Sequence, residues 1–205
     1  MKNSVGVHTY AVIGALVQEA RRYPALARRV GEPRLWHRAF WSCWFHDLGK
    51  SARGFQAALR PDGQRWSHPH KVLSLTFLGC FCRPEGDDFR WIAAGISSHQ
   101  KDAPVILVEL YNPRLDPADW GCRELAREIE LNTWRAIQDW TLQTAPAKIK
   151  ELGFGDRRRI CLRRKQPRRI TRFRSSLLLD LRPIWFSGGN SRNCPQRTIC
   201  CLGSD

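Results

Sequence analysis

Apolar residues over the first 150 positions recur at steps of three and four and never alternate long enough to make a strand. Such steps stack side chains on one face of a helix. The run Val7-His8-Thr9-Tyr10-Ala11-Val12-Ile13-Gly14-Ala15-Leu16-Val17 follows an Asn3-Ser4 cap signal. Leu35, Trp36, Phe40, Cys43 and Trp44 form a second face, His70 to Leu78 a third, and Phe89 to His99 a fourth. The spacing predicts helices over 5–21, 34–48, 51–59, 70–82, 88–99, 104–111 and 118–144. Breakers separate them: Pro24, Gly31-Glu32-Pro33, Arg60-Pro61-Asp62-Gly63, Arg83-Pro84-Glu85-Gly86 and Asn112-Pro113. An all-α bundle is the architecture that buries several such stripes against one another. In the last helix an aspartate of Asp116-Pro117-Ala118-Asp119 is the cap candidate. Leu125, Ile129, Leu131 or Asn132, Trp134, Ile137 and Trp140 are its predicted buried face. Its charges Arg123, Glu124, Arg127, Glu128 and Glu130 read as a solvated face.

Composition divides the chain near Phe154-Gly155-Asp156. Residues 1–155 read as one domain, able to bury a real core and holding eight of the nine tryptophans. Residues 156–205 carry thirteen Arg and Lys against three Asp, so this tail supplies +10 of the chain's +15. Its apolar residues follow no sustained period. Three readings of the tail stand. It is a basic, poorly ordered arm that binds nucleic acid by counterion release; or a folded continuation; or the product of a shifted reading frame.

Cysteines at 43, 80, 82 and 122 have no Cys-x-x-Cys spacing, which speaks against a zinc finger. They read as reduced, buried thiols of a cytoplasmic protein. No apolar run of 18 residues exists for a membrane span, and the N-terminus lacks a secretory pattern.

The chemistry concentrates in His46-Asp47-Leu48-Gly49-Lys50. Neighbours on a helix point about 100° apart, but at a helix end both side chains can reach one ion. An imidazole and a carboxylate suit a divalent metal that activates water. Gly49 fits the position past a helix end where positive φ is wanted, and Lys50 sets a cation beside the site for a phosphate. His8, His70 (with His68 as runner-up) and His99 lie in or beside the other apolar segments. A lone histidine on an apolar helix is usually a hydrogen-bonded core residue, and His37 is read that way.

The order His8, His46-Asp47-Leu48-Gly49-Lys50, His70-x-x-x-Ser74 and Ser98-His99-Gln100-Lys101-Asp102 resembles the HD nuclease of type I CRISPR systems. Phe55-Gln56-Ala57-Ala58-Leu59 sharpens the likeness, which covers roughly residues 5 to 150. It implies an HD-domain helical bundle and a metal-dependent endonuclease that cuts single-stranded DNA in antiviral defence. The implied partners are an RNA-guided CRISPR surveillance complex and a separate helicase subunit, because this sequence contains no phosphate-binding motor loop. His8, His46, Asp47, His70 and His99 would bind one or two metal ions, Mn, Ni, Co or Fe in preference to Mg. Asp47 and Lys50 would be catalytic, and Ser74 would support the site or bond the carbonyl four residues back.

Two features depart from the family. Gln100 stands where a second histidine is usual, and no convincing late aspartate closes the site: Asp102 is too close to His99, Asp139 sits in an amphipathic helix without the motif, and Asp180 lies in the tail. An HD nucleotide phosphohydrolase, or an inactive nucleic-acid-binding relic, is the alternative function.

Overall fold

In the computed structural model, residues 5–66, 70–82, 86–98 and 127–155 are described. They form helices α1 (Val5–Arg22), α2 (Leu26–Arg29), α3 (Leu35–Phe45), α4 (Arg53–Ala58), α5 (His70–Phe81), α6 (Asp87–Ser98) and α7 (Leu131–Glu151), with a 3-10 turn over Leu48–Ser51. No strand occurs among the described residues, so the all-α reading holds for them. No described helix is long and apolar enough to cross a membrane.

α3 is the centre of the packing, in contact with α1, α5, α6 and α7. Its sequence dictates this, since Phe40, Trp41, Trp44 and Phe45 are all almost fully buried. Each such side chain contributes about 1.5–3 kcal/mol by leaving water, and stacked pairs add about 0.5–1.5 kcal/mol. Trp44 stacks on Trp140 of α7 at 4.4 Å between ring centroids. Its indole N–H donates to Thr141 Oγ1 at 3.1 Å, so the buried polar atom is satisfied. Phe77 of α5 stacks on Trp134 at 4.2 Å, and Phe45 meets Phe81 at 5.4 Å.

An ion network ties the start of α3 to the first turn of α6. Arg34 reaches Asp88 at 2.6 Å, while Arg38 reaches Asp88 at 2.9 Å and Glu32 at 2.6 Å. His37 is the core histidine expected, buried and with Nδ1 3.1 Å from the carbonyl of Phe154.

The structure corrects several boundaries. α3 ends at Phe45 rather than at residue 48, because the chain turns there into the 3-10 segment. The stretch after Pro24 holds the short α2. α7 begins at Leu131, after an extended Glu130, and runs through Pro146 to Glu151. The break before α7 has a tertiary cause: the backbone N–H of Arg53 donates to the Glu128 carbonyl at 2.9 Å. The N–H of Gly54 donates to the Glu128 carboxylate at 2.7 Å. Glu128 therefore caps α4 and is not part of a solvated face. Pro146 lacks a helix N–H, yet it is exposed while Thr141, Ala145 and Ile149 of α7 are buried. The gap in the ladder thus falls away from the core, and the buried stripe carries the helix past it. Ile129 and Trp134 are buried as expected, whereas Leu131 is exposed. The predicted helix over 104–111, the start of the one over 118–144, Leu125 and the tail at 156–205 lie outside the described residues.

Candidate metal centre

His46 and Asp47 converge because the helix stops between them. His46 keeps helical angles as the last cap of α3, and Asp47, at φ −115°, starts the 3-10 turn. The Asp47 carboxylate is left buried at 1% exposure. Its Oδ2 lies 3.0 Å from His8 Nε2, 3.3 Å from His46 Nε2 and 2.6 Å from Lys50 Nζ. Its Oδ1 lies 3.3 Å from His70 Nε2. The two Nε2 atoms of His8 and His46 are 3.4 Å apart.

α1, the end of α3, the 3-10 turn and the start of α5 thus each contribute to one cluster. His8 is half-exposed and sits at the rim; His70 is largely buried with its ring 5.7 Å from that of Phe55. His99, the remaining ligand candidate, and His68 lie outside the described residues.

The donor set fits a small divalent ion. A tetrahedral metal with bonds of about 2.0–2.1 Å separates its ligand atoms by about 3.3 Å. His8 Nε2, His46 Nε2 and Asp47 Oδ2 stand at 3.0–3.4 Å from one another. His46 is also oriented for the role. Its Nδ1 lies 2.7 Å from the Cys43 carbonyl, which can only accept, so Nδ1 carries a proton and Nε2 is the nitrogen left to exchange its hydrogen bond to Asp47 for an ion.

Burial pushes the Asp47 carboxyl up, but hydrogen bonds from His46, His70 and Lys50 outweigh it and hold the group well below the usual carboxylate range. Asp47 is therefore an anion throughout the neutral range. Lys50 Nζ shares Oδ2 with the two imidazoles and also lies 6.0 Å from the Phe55 ring centroid.

The turn that presents these groups is held from α5. Ser74 Oγ accepts from the Gly49 N–H at 2.9 Å and donates to the His46 carbonyl at 2.8 Å. Of the two roles expected for Ser74, this is the supporting one. Gly49 is required for a reason other than the one read from sequence. Its φ is not positive, a conformation found only at Gly31 and Gly153 among the described glycines. A Cβ on Gly49 would instead collide with the carbonyl oxygen of His70. Close approach of turn and helix sets the residue.

No family model, curated protein or solved structure matches this chain.

Proposed function

We propose that this chain is a metal-dependent phosphodiesterase of the HD type, similar to the nuclease of type I CRISPR systems and acting on single-stranded DNA. The observation that carries the reading is the convergence of three imidazole Nε2 atoms on the two oxygens of one buried aspartate, all within 3.3 Å. His8, His46, Asp47 and His70 would hold the ion, joined in the family's order by His99. A bound divalent metal supplies a water that is nucleophilic at neutral pH and a positive charge for the non-bridging phosphate oxygens.

The chain's own groups have distinct parts. Asp47 stays ionised and supplies the hard oxygen ligand. The Cys43 carbonyl fixes the His46 ring so that its free nitrogen faces the site. The exposure of His8 leaves one side of the cluster open to an incoming strand. Lys50, on the side of Phe55, offers an ammonium to the phosphate. A guide-bearing surveillance complex and a separate helicase would deliver the substrate, in keeping with the resemblance.

Purified protein with Mn²⁺ should nick circular single-stranded DNA, and Asp47→Ala should abolish both Mn²⁺ binding and cleavage while the helical circular-dichroism spectrum persists. Hydrolysis of nucleotides without DNA cutting would replace this reading with that of a small-molecule phosphohydrolase. Failure of the wild-type protein to bind Mn²⁺ would leave the inactive relic.

A further inference from the structure

We infer that the outer face of α1 is a track for the phosphate backbone of a single nucleic-acid strand, anchored at Arg21, Arg22, Arg28 and Arg29 and leading to His8. This rests on the phosphodiesterase reading for the strand's destination, but not for its binding.

Four observations carry it. His8, Ala11, Ala15, Gln18 and Arg22 follow helical steps of three and four, and all five are exposed. A side chain added at Gly14 on the same side would meet nothing within 4 Å. The face is thus open along its length among the described residues, and Glu19 is the one carboxylate in α1. At its far end, Arg21 and Arg22 close α1, and Arg28 and Arg29 close α2 a few residues on. All four are exposed, and none pairs with a carboxylate among the described residues. That contrasts with Arg34 and Arg38, whose guanidinium groups are matched to Glu32 and Asp88.

One basic residue at each helix end would serve the helix dipole. Two adjacent arginines point about 100° apart, so each end holds more charge than its own dipole calls for. Between the pairs stands Tyr23, 44% exposed and with the Arg22 guanidinium 5.3 Å from its ring centroid. Cations interleaved with an exposed aromatic suit a backbone with splayed bases, which stack on such rings. A carboxylate-rich peptide would match the arginines but leave the tyrosine without a role.

The geometry joins anchor to site. His8 and Arg21 are separated by about 20 Å along the helix axis at about 1.5 Å per residue. A strand with splayed bases is more extended than a duplex strand at about 3.4 Å per phosphate, so this length takes about six nucleotides at most, within the usual footprint of single-strand binders.

The test is fluorescence anisotropy with a labelled oligothymidylate and the full chain, titrated at several salt concentrations. Each phosphate contact on a single strand contributes about 0.7 to the slope of log affinity against log salt. A variant with Ala at Arg21, Arg22, Arg28 and Arg29 should lose about 3 in that slope. The control removes the same charge from Arg60, Arg65, Arg135 and Lys150, all exposed elsewhere. Its slope should change by less than one. Equal losses in the two variants would mean binding by net charge alone and would overturn the track.

A photo-crosslinking side chain at Ala15 should attach to the strand, whereas one at the exposed Ala147 of α7 should not. Absence of crosslinking at Ala15 would also overturn it. Hydrolysis of a small chromogenic phosphodiester with Mn²⁺ tests the catalytic reading separately. A protein that binds and crosslinks the strand but hydrolyses nothing keeps the track and loses the enzyme.

Discussion

Ser74 on α5 and His46 at the end of α3 are joined by a buried hydrogen bond of 2.8 Å from the serine hydroxyl to the histidine carbonyl. A serine inside a helix commonly turns back to the carbonyl four residues before it. Here it turns away from its own helix to the neighbouring turn, and the same oxygen accepts the Gly49 N–H. One hydroxyl thereby fixes both sides of Asp47, the residue on which the site converges.

Ser74→Ala should therefore disturb more than a surface serine would. Two buried backbone groups lose their partner, and each unsatisfied group costs about 1–3 kcal/mol. Urea unfolding should show a lower midpoint at unchanged slope, and Mn²⁺ titration should show weaker binding. A variant with the wild-type midpoint would mean that water replaces the hydroxyl without loss.

Gly49→Ala adds atoms where Ser74→Ala removes one, and its effect should be the larger. The new methyl meets the carbonyl of His70, which belongs to a helix and cannot rotate away as a side chain would. Overpacking of this kind costs about 1–3 kcal/mol or more, and relief requires the turn to lift from α5. That motion separates Asp47 from His70, so metal affinity should fall together with stability. Retention of wild-type affinity would show that the turn shifts as a rigid unit with its ligands.

Much of the site was legible because its members announce themselves by residue type. His46, Asp47, Lys50, His70 and Ser74 carry polar chemistry in otherwise apolar surroundings, and the structure brings His8, His46, Asp47, Lys50 and His70 together. The described helices other than the short α2 were legible from their periodicity. What was not legible depends on tertiary contact. The end of α3 at Phe45 is set by the turn that packs on α5, and no local breaker marks it. Gly49 looked like a left-handed cap, since a glycine after a helix usually is one; the proximity of α5 is invisible in sequence. Glu128 sat among alternating charges and matched a solvated helix face, yet its carboxylate caps a helix more than seventy residues earlier. The sequence reading of the last helix ended at residue 144, whereas burial of Ala145 and Ile149 carries it to Glu151.

Cys43 and Cys82 are free thiols whose ionisation burial opposes. The Cys43 thiol is pushed up to about 11, and that of Cys82 to about 12 by burial together with the nearby Asp88 charge. Raised values mean that the native state favours the neutral thiol. The associated stability is present in full below pH 9, the ordinary value. It is lost as pH rises towards 11 and beyond. Alkylation followed by peptide mass spectrometry should find both cysteines unlabelled in native protein at pH 8 and labelled in denaturant. Labelling of the partly buried Cys43 in native protein at pH 8 as fast as in denaturant would show that burial does not suppress its thiolate.

Lys50 supplies the last prediction, because its position sets two roles against each other. Its ammonium lies 2.6 Å from Asp47 Oδ2, the oxygen that also faces His8 and His46. A divalent ion held by that oxygen and those imidazoles shares its ligand with a positive charge. Removing the charge by Lys50→Met should therefore tighten Mn²⁺ binding, by about tenfold, equivalent to about 1.4 kcal/mol. The lysine side chain is 27% exposed, so solvent screens the repulsion and a larger gain is not expected. Cleavage should move the opposite way, since the variant has no ammonium to meet the phosphate oxygens. Isothermal titration with Mn²⁺ and a single-strand nicking assay on the same preparation read the two effects. Opposite signs assign Lys50 to the substrate; a parallel loss of metal affinity and cleavage would make it instead a residue that merely holds Asp47 in place. Lys50→Arg separates these further: a guanidinium keeps the charge and so should keep the wild-type metal affinity, while its planar shape alters the contact with phosphate.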